Sequence, residues 1–315
     1  MNSRVFVTGL SVISPLGLDV ESTWNSLVNG VSGVDFISSF DAEGFDTTFA
    51  AEVKNFDATN YLARKDARRM DRFAQFAAVT SSQALEMAGL SIENLDAFRI
   101  ATIVGSGIGG INTLSEQYDV LRDKGPNRVT PFLIPMMLAD MGSAQVSMLT
   151  GAMGPNYCVV SSCSSGADAI GQALQMLHED RAEIVITGGT EAPICPISVA
   201  GFNALHALSR RNDNPTAASR PFDAGRDGFV IGEGAAILVL EKHESMVKRG
   251  AHPIAEVLGY ATTSDAHHIT EPGPEGVSAA RAMKLAIEEA GVRLNEVDYI
   301  NAHGTSTPLN DRLET

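Results

Sequence analysis

The residue whose type and surroundings point most directly to chemistry is Cys163, in the stretch YCVVSSCSSGADAIGQALQML from Tyr157 to Leu177. Tyr157 to Val160 is a short apolar run that reads as a buried strand, and from Ala167 apolar residues recur at 170, 174 and 177, a helical spacing. Cys163 is therefore expected on the turn between a strand and a helix. A thiol there faces the first backbone N–H groups of the helix, and the positive end of the helix dipole favours thiolate over thiol. Most cysteines are inert fillers of the interior. Cys163 differs in being surrounded by Ser161, Ser162, Ser164, Ser165 and Gly166, which leave room for a substrate. Cys158, inside the strand, and Cys195, between Ile194 and Pro196, read as packing.

A second group lies near the C-terminus, where Val297 to Asn301 reads as a buried strand leading into AHGTSTPLND. His303 follows the strand end among small residues, the position where α/β folds place their chemistry, with Thr305 and Thr307 close by. Asp265, His267, His268 and Thr270 in SDAHHITEP are weaker candidates, since a loop histidine is more often solvated than catalytic. Gly105-Ser106-Gly107-Ile108-Gly109-Gly110 satisfies GxGxxG after the strand Ile100 to Val104, with Asp123 at about the spacing of a ribose-binding acid. A dinucleotide site is one reading. Glycines also serve any close backbone approach, and the motif lies a third of the way along rather than on the first βα turn. Asp223, Arg226, Asp227 and Glu233, crowded among glycines, suggest an ion-paired scaffold corner. Arg64, Lys65, Arg68, Arg69 and Arg72, interrupted by Asp66 and Asp71, form a basic island, either a solvated helix start or a docking site for an acidic partner.

The elements that would position these residues alternate between strand and helix. Val5 to Val7 opens a strand and Gly9 to Gly17 a loop. A helix around Val20 to Asn29 carries Trp24 toward the core, and another runs from Phe73 to Gly89 with apolar residues at 73, 76, 77, 84 and 87. Ile184 to Thr187 is a strand followed by an irregular segment to about Arg211, Ala235 to Leu240 is an apolar strand, and Ile254 to Thr262 starts another. Val277 to Ala290 is an amphipathic helix ended by Gly291, and a last helix starts with Asn310 or Asp311 as N-cap. The alternation predicts a mostly parallel sheet covered on both faces.

Composition narrows the function classes. With 315 residues the chain can bury a large core, and its 44% hydrophobic content is that of an ordinary soluble protein. A formal charge of −15 repels nucleic acid. Three cysteines without CxxC or Cys/His ligand spacing argue against a disulfide framework or structural zinc and fit a reducing compartment. The N-terminus lacks the shape of a signal peptide, and no run of eighteen apolar residues occurs, so a soluble, cytoplasmic protein without membrane association is expected.

The motifs GPNYCVVSSCSSGADAIGQA, ITGGTEA, RPFDAGRDGFVIGEGA, SDAHHIT and NAHGTSTPLND, in this order and separation, closely resemble the β-ketoacyl-acyl carrier protein synthases, specifically the elongating condensing enzymes of type II fatty acid synthesis. The resemblance covers Val5 to Thr315. It implies an α/β thiolase-like fold, two βαβαβαββ halves in a five-layer αβαβα sandwich, here as a 1–250 half with the nucleophile and a partial 251–315 half, in a homodimer. It makes Cys163 the acyl-accepting nucleophile and His303 one of two histidines acting on malonyl-acyl carrier protein. It places Ile108 and Phe202 at the acyl pocket, and Thr270, Thr305 and Thr307 along the phosphopantetheine arm. Lys65, Arg68 and Arg69 fall on the surface that docks the carrier protein, with His206 where relatives often carry a basic residue. No cofactor or metal is implied; the substrates are acyl- and malonyl-acyl carrier protein. The resemblance also puts a second histidine, a lysine and a glycine-rich gating loop after Thr315, so a poorly stable chain that does not run the full condensation alone is expected. The rival readings are a polyketide ketosynthase, a thiolase acting on coenzyme A esters, a non-catalytic partner subunit and a nucleotide-binding dehydrogenase. Non-catalytic partners replace the nucleophile, which is present here.

Overall fold

The computed structural model describes residues 3–315. In chain order the elements begin with β1 (Val5–Ile13), α1 (Val20–Val28), β2 (Asp35–Phe36), β3 (Phe49–Ala50), α2 (Arg64–Ala67), α3 (Arg72–Met87), β4 (Ile100–Gly105) and α4 (Ile111–Lys124). There follow α5 (Leu133–Met137), α6 (Met141–Thr150), β5 (Asn156–Val159), α7 (Ser165–His178), β6 (Ile184–Glu191) and α8 (Pro196–Ala204). The last are β7 (Gly234–Lys242), α9 (His243–Lys248), β8 (Ala255–Val257), α10 (Val277–Ala290) and α11 (Pro308–Glu314). They divide into two compact units. The first comprises the chain up to Gly33, Glu52–Ile197 and Gly232–Val257; the second comprises Val34–Ala51, Ser198–Ile231 and Leu258–Thr315.

The first unit is built on a six-stranded sheet in the order β5-β4-β6-β7-β1-β8. β5, β4 and β6 are parallel, with Thr102 opposite Asn156 and Ile100 opposite Ile184, whereas β7 runs antiparallel to both β6 and β1, and β8 antiparallel to β1. The sheet is thus mixed, not mostly parallel. A right-handed helical crossover keeps neighbouring strands parallel; β6 and β7 are joined instead by a long excursion that brings the chain back in the opposite direction.

Alternation along the strands sorts side chains to two faces. Ile100 and Val104 of β4, Ile184 and Ile186 of β6, and Ile237 and Val239 of β7 join Ala77, Ala84 and Val146 of α3 and α6 in one buried cluster. On the other face α7 lies against β4 and β6. Helix α3 is the longest, capped by Asp71, whose carboxylate accepts from the Phe73 N–H at 3.4 Å. Its Phe73 and Phe76 are fully buried, each stabilising by about 1.5–3 kcal/mol.

Small residues let α3 come close to β1: a Cβ on Gly9 would stand 2.2 Å from the Ala84 carbonyl oxygen. That packing explains why β1 continues through Gly9, with a register shift between Val7 and Gly9, to Ile13, where the residue pattern reads as a loop. α7 uses the same device on the opposite face. A Cβ on Gly105 would lie 2.2 Å from the Ser165 carbonyl oxygen, and one on Gly189 would lie 3.1 Å from the Gly166 Cα.

Other sequence readings are corrected. The Tyr157 to Val160 run is the edge strand β5 and only partly buried, because β4 pairs it on one side; Val160 lies beyond the ladder and is 60% exposed. Trp24 is 61% exposed on α1, a helix with no buried residue, rather than in the core. The irregular stretch before Arg211 contains α8, and the strand expected over Ile254 to Thr262 is confined to β8, the part that finds a ladder with β1.

In the second unit β2 pairs antiparallel with β3, Phe36 opposite Phe49. Helix α10 has the bounds expected and ends on Gly291 in the left-handed region, φ +68°. Residues 297–301 form no strand, having no ladder partner among the described residues, and Tyr299 is 81% exposed. The N-cap of α11 is Thr307, with Pro308 at the first helical position; Asp311 is inside the helix. The expected capping by Asn310 or Asp311 is overridden by the proline, whose fixed φ and missing N–H suit a first turn.

Gly105→Ala is expected to lower stability by about 1–3 kcal/mol, read as a lower urea midpoint, because backbone rather than a flexible side chain would have to move. Gly201→Ala, in α8 with no atom within 4 Å of the added methyl, is expected to be neutral or to stabilise by up to about 1 kcal/mol.

Candidate active site

Cys163 occupies the middle of a 3-10 turn, Ser162–Ser164, that runs directly into α7. The place expected from periodicity is therefore the place found, with the helix starting two residues earlier than Ala167. Ser162 holds φ +56°, a left-handed conformation that non-glycine residues adopt at a cost and that concentrates at functional turns. Hydroxyl groups keep it there. Ser165 Oγ donates to the Ser162 carbonyl at 2.7 Å and accepts from the Ser161 N–H at 2.9 Å. Ser161 Oγ donates to the Asp168 carboxylate, and Ser164 Oγ lies within reach of the Ser161 carbonyl at 2.8 Å and of Asp168 at 3.0 Å.

The three cysteines separate by environment. Cys163 is exposed, Cys195 is buried, and Cys158 is half-buried on β5, where burial pushes its thiol pKa up. None is in a disulfide.

The GxGxxG turn is not an empty phosphate cradle. The Gly107 N–H donates to Glu191 Oε2 at 2.6 Å, the Ile108 N–H to the same oxygen at 3.1 Å, and Ser106 Oγ to Glu191 Oε1 at 3.2 Å. An internal carboxylate thus fills the anion position. Each glycine has a packing reason as well: Gly105 meets α7, and a Cβ on Gly110 would stand 2.1 Å from the Met136 carbonyl oxygen. Burial raises the Glu191 pKa against the pull of these donors. Ile108 at the tip is 40% exposed. The dinucleotide reading loses its phosphate site.

Around α2, Arg64, Lys65, Arg68 and Arg69 are exposed. Arg72 does not belong with them. Its guanidinium binds Glu233 through two nitrogens at 2.7 and 2.9 Å and lies over the Phe76 ring at 4.7 Å. Arg69 stacks over Phe132 at 4.7 Å. Asp71 is buried, with Thr113 Oγ1 and N–H donating to it at 2.7 and 2.8 Å, so the exposed island is purer in charge than the residue string suggests.

In the second unit the loop carrying His303 is fixed by α11. Glu314 accepts from the His303 N–H at 2.5 Å and the Gly304 N–H at 2.8 Å, while Asp311 accepts from the Ser306 N–H at 3.1 Å and the Phe222 N–H at 2.8 Å. Thr305 and Thr307 join through their hydroxyls at 2.8 Å. Arg226 pairs with Asp311 at 3.3 Å and donates to the Thr307 and Pro308 carbonyls. Asp227 accepts from Ser209 Oγ at 2.7 Å, so the acidic and basic corner is scaffold as expected, with Glu233 serving the first unit through Arg72. Phe202 meets Phe229 edge to face at 5.3 Å. Thr270 is exposed, its N–H 3.3 Å from His268 Nδ1, and His206 Nδ1 lies 3.0 Å from Arg210.

Glu191, Asp168 and Glu314 do not stand out by spacing, because an acid near glycines or in a first turn is common, and Asp311 stands out only as an N-cap. The available signal is position: Glu191, Asp311 and Glu314 follow or face turns whose amides need an acceptor, and Asp168 faces the Ser161 and Ser164 hydroxyls. Among the described residues no group of three or more His, Cys, Asp or Glu could hold a metal ion, and no helix is long and apolar enough to cross a membrane.

Residues 2–245 match the family described as beta-ketoacyl synthase, N-terminal domain, and residues 254–315 match beta-ketoacyl synthase, C-terminal domain. The chain belongs to the β-ketoacyl synthase family, the condensing enzymes with the thiolase-like fold. It is 50% identical over 312 residues to a 3-oxoacyl-[acyl-carrier-protein] synthase 2 of Synechocystis, covering 99% of this chain and 75% of that protein. It is 48% identical over 313 residues to the Staphylococcus aureus protein of the same name, with the same coverage. Among solved structures it is similar to a type II polyketide ketosynthase in complex with its acyl carrier protein, at a TM-score of 0.89 and 34% identity, covering 100% of this chain and 76% of that one. It is also similar to a Burkholderia phymatum β-ketoacyl synthase, at 0.90 and 34%, covering 99% and 76%.

Iodoacetamide is expected to label Cys163 first, Cys158 at least about tenfold more slowly, and Cys195 only in denaturant, as followed by peptide mass spectrometry. Because the Cys158 thiol pKa is raised, its labelling should still climb at a pH where an ordinary cysteine has levelled off. NAD titration should show no saturable binding.

Proposed function

We propose that the site residues of this chain serve acyl transfer and condensation of the fatty acid elongation type, on substrates bound to an acyl carrier protein. The observation that carries this reading is Cys163, exposed on a strained turn at the start of α7 and ringed by small hydroxyl residues. The Cys163 thiolate attacks the thioester carbonyl of an acyl-carrier substrate. The carrier thiol leaves with a proton, and the acyl group stays on sulfur. Malonyl-carrier thioester then loses CO2, and the enolate carbon attacks the acyl-cysteine carbonyl. The Cys163 sulfur leaves, and the product is a carrier-bound 3-oxoacyl chain two carbons longer. Neutral His303, donating through Nε2, stabilises the enolate oxygen as CO2 departs.

Ile108 and Phe202 line the acyl site, and Thr270, Thr305 and Thr307 take the pantetheine arm. The hydroxyls of Thr305 and Thr307, already within hydrogen-bond reach of each other, suit an arm rich in amides. Exposed Lys65, Arg68 and Arg69 dock the acidic carrier, and a net charge of −15 repels it elsewhere. That a similar ketosynthase structure holds its carrier protein supports this partner. The relatives at 48–50% identity favour fatty acyl over polyketide substrates, the polyketide structure being 34% identical. In sequence the parts fall into a 1–250 half with Cys163 and a 251–315 portion with His303. The chain works as a homodimer, which the one-sided pairing of edge strand β5 supports, and in the cytoplasm, where an exposed nucleophilic thiol stays reduced.

Mixing the protein with acyl-carrier protein should give a thioester on Cys163 by mass spectrometry and none in Cys163→Ala; absence of the adduct in a folded chain rejects the reading. His303→Ala should keep that adduct and lose CO2 release from malonyl-carrier by about a hundredfold or more. Lys65→Glu with Arg68→Glu should raise the KM for carrier-bound substrate at least about tenfold and leave iodoacetamide labelling of Cys163 within about twofold. An unchanged KM rejects the docking surface.

A further inference from the structure

The GxGxxG turn places three donors, the Gly107 and Ile108 N–H groups and the Ser106 hydroxyl, on one carboxylate at 2.6, 3.1 and 3.2 Å. Ser106 Oγ also accepts from the Gly109 N–H at 3.1 Å, so the whole turn is tied to Glu191 directly or through one hydroxyl. Such nests of consecutive amides ordinarily receive a ligand anion. Here the anion is the protein's own, delivered from the end of β6.

Its anchorage is firm on both sides. Thr190 Oγ1 donates to the Phe73 carbonyl at 2.6 Å, and Asn112 Nδ2 donates to the Ala192 carbonyl at 2.8 Å. The turn also touches the nucleophile's own support. A Cβ on Gly107 would stand 3.1 Å from Glu191 Oε2 and 3.4 Å from the carbonyl oxygen of Ser162, the strained residue before Cys163. The turn is wedged between a fixed carboxylate and the nucleophile turn, with Ile108 at its tip.

We propose that Glu191 is a positioning residue that fixes the Ser106–Gly109 turn beside the nucleophile turn and thereby sets how long a chain Cys163 accepts. The inference rests on reading Ile108 as lining of the acyl site. Without the carboxylate, two amides lose their acceptor, the turn relaxes toward water, and Ile108 no longer stands at a fixed distance from the sulfur. A small electrophile, which does not reach past the sulfur, is indifferent to that change.

The test uses the full chain and N-alkyl iodoacetamides of increasing chain length, with modification of Cys163 followed by peptide mass spectrometry. In Glu191→Ala the rates with the longest reagents should shift at least about tenfold from wild type, while unsubstituted iodoacetamide stays within about twofold. Glu191→Gln keeps an oxygen for both amides and should restore the wild-type length profile. Hydrogen exchange at Gly107 and Ile108 should quicken in the alanine variant and not in the glutamine variant. Should Glu191→Ala fail to fold, Glu191→Asp, one methylene short of the amides, should show the same length-selective shift. A length profile identical to wild type, or a uniform change that includes iodoacetamide, overturns the proposal. These reagents need neither carrier protein nor condensation, so failure of the wild type to take an acyl group from the carrier counts against the functional reading, and the alkylation profile decides the role of Glu191.

Discussion

The contact on which the first unit depends is backbone against backbone, where the start of α7 rests on the ends of β4 and β6. Gly105, Gly166 and Gly189 supply it, since a methyl group at Gly105 would overlap the Ser165 carbonyl. The cost of three glycines is conformational entropy in the unfolded chain, roughly 0.5–1 kcal/mol each relative to alanine. What the approach secures is geometry: a helix seated directly on a sheet carries its first turn at a fixed height above the strand ends. Cys163 is in that turn. A side chain between helix and sheet would push the start of α7, and the sulfur with it, away from the strand ends.

A second theme is the use of carboxylates as acceptors for the turns that hold the candidate site residues. Glu191 serves the turn at 106–109, Asp168 the hydroxyls flanking Cys163, and Asp311 with Glu314 the loop at 303–306. Turn amides without an acceptor in a half-buried place cost free energy, and a loop of small residues has little side-chain packing to define its path. A carboxylate on a neighbouring regular element solves both problems. The ionic groups at Arg72 and Glu233 do a related task for the start of α3, where the guanidinium lies against the edge-to-face pair Phe56 and Phe76.

How much of this was legible depended on whether local pattern or tertiary contact decided the outcome. The turn at Cys163 was legible because a strand pattern gives way to a helical one across five small residues, and α10 because its amphipathic period and Gly291 agree. The middle of β1 was not: Gly9 looks like a break until α3 is known to approach it, after which only glycine fits. Val297 to Asn301 has strand-like residues, but a strand exists through its ladder. Arg72 was grouped with its neighbours in sequence, although the helix turns it inward to Glu233 while Arg68 and Arg69 remain outside. Direction of the strands was likewise hidden, since neither parallel nor antiparallel pairing is written in the periodicity of β7.

The engaged amides at Gly107, Ile108, His303 and Gly304 have an electrostatic corollary. Two glycine-bearing turns that might have greeted an incoming anion are already neutralised by Glu191 and Glu314. An anionic group brought to either turn would meet a carboxylate there rather than open N–H donors. Each turn, considered by itself, is therefore better suited to an uncharged polar group than to an anion.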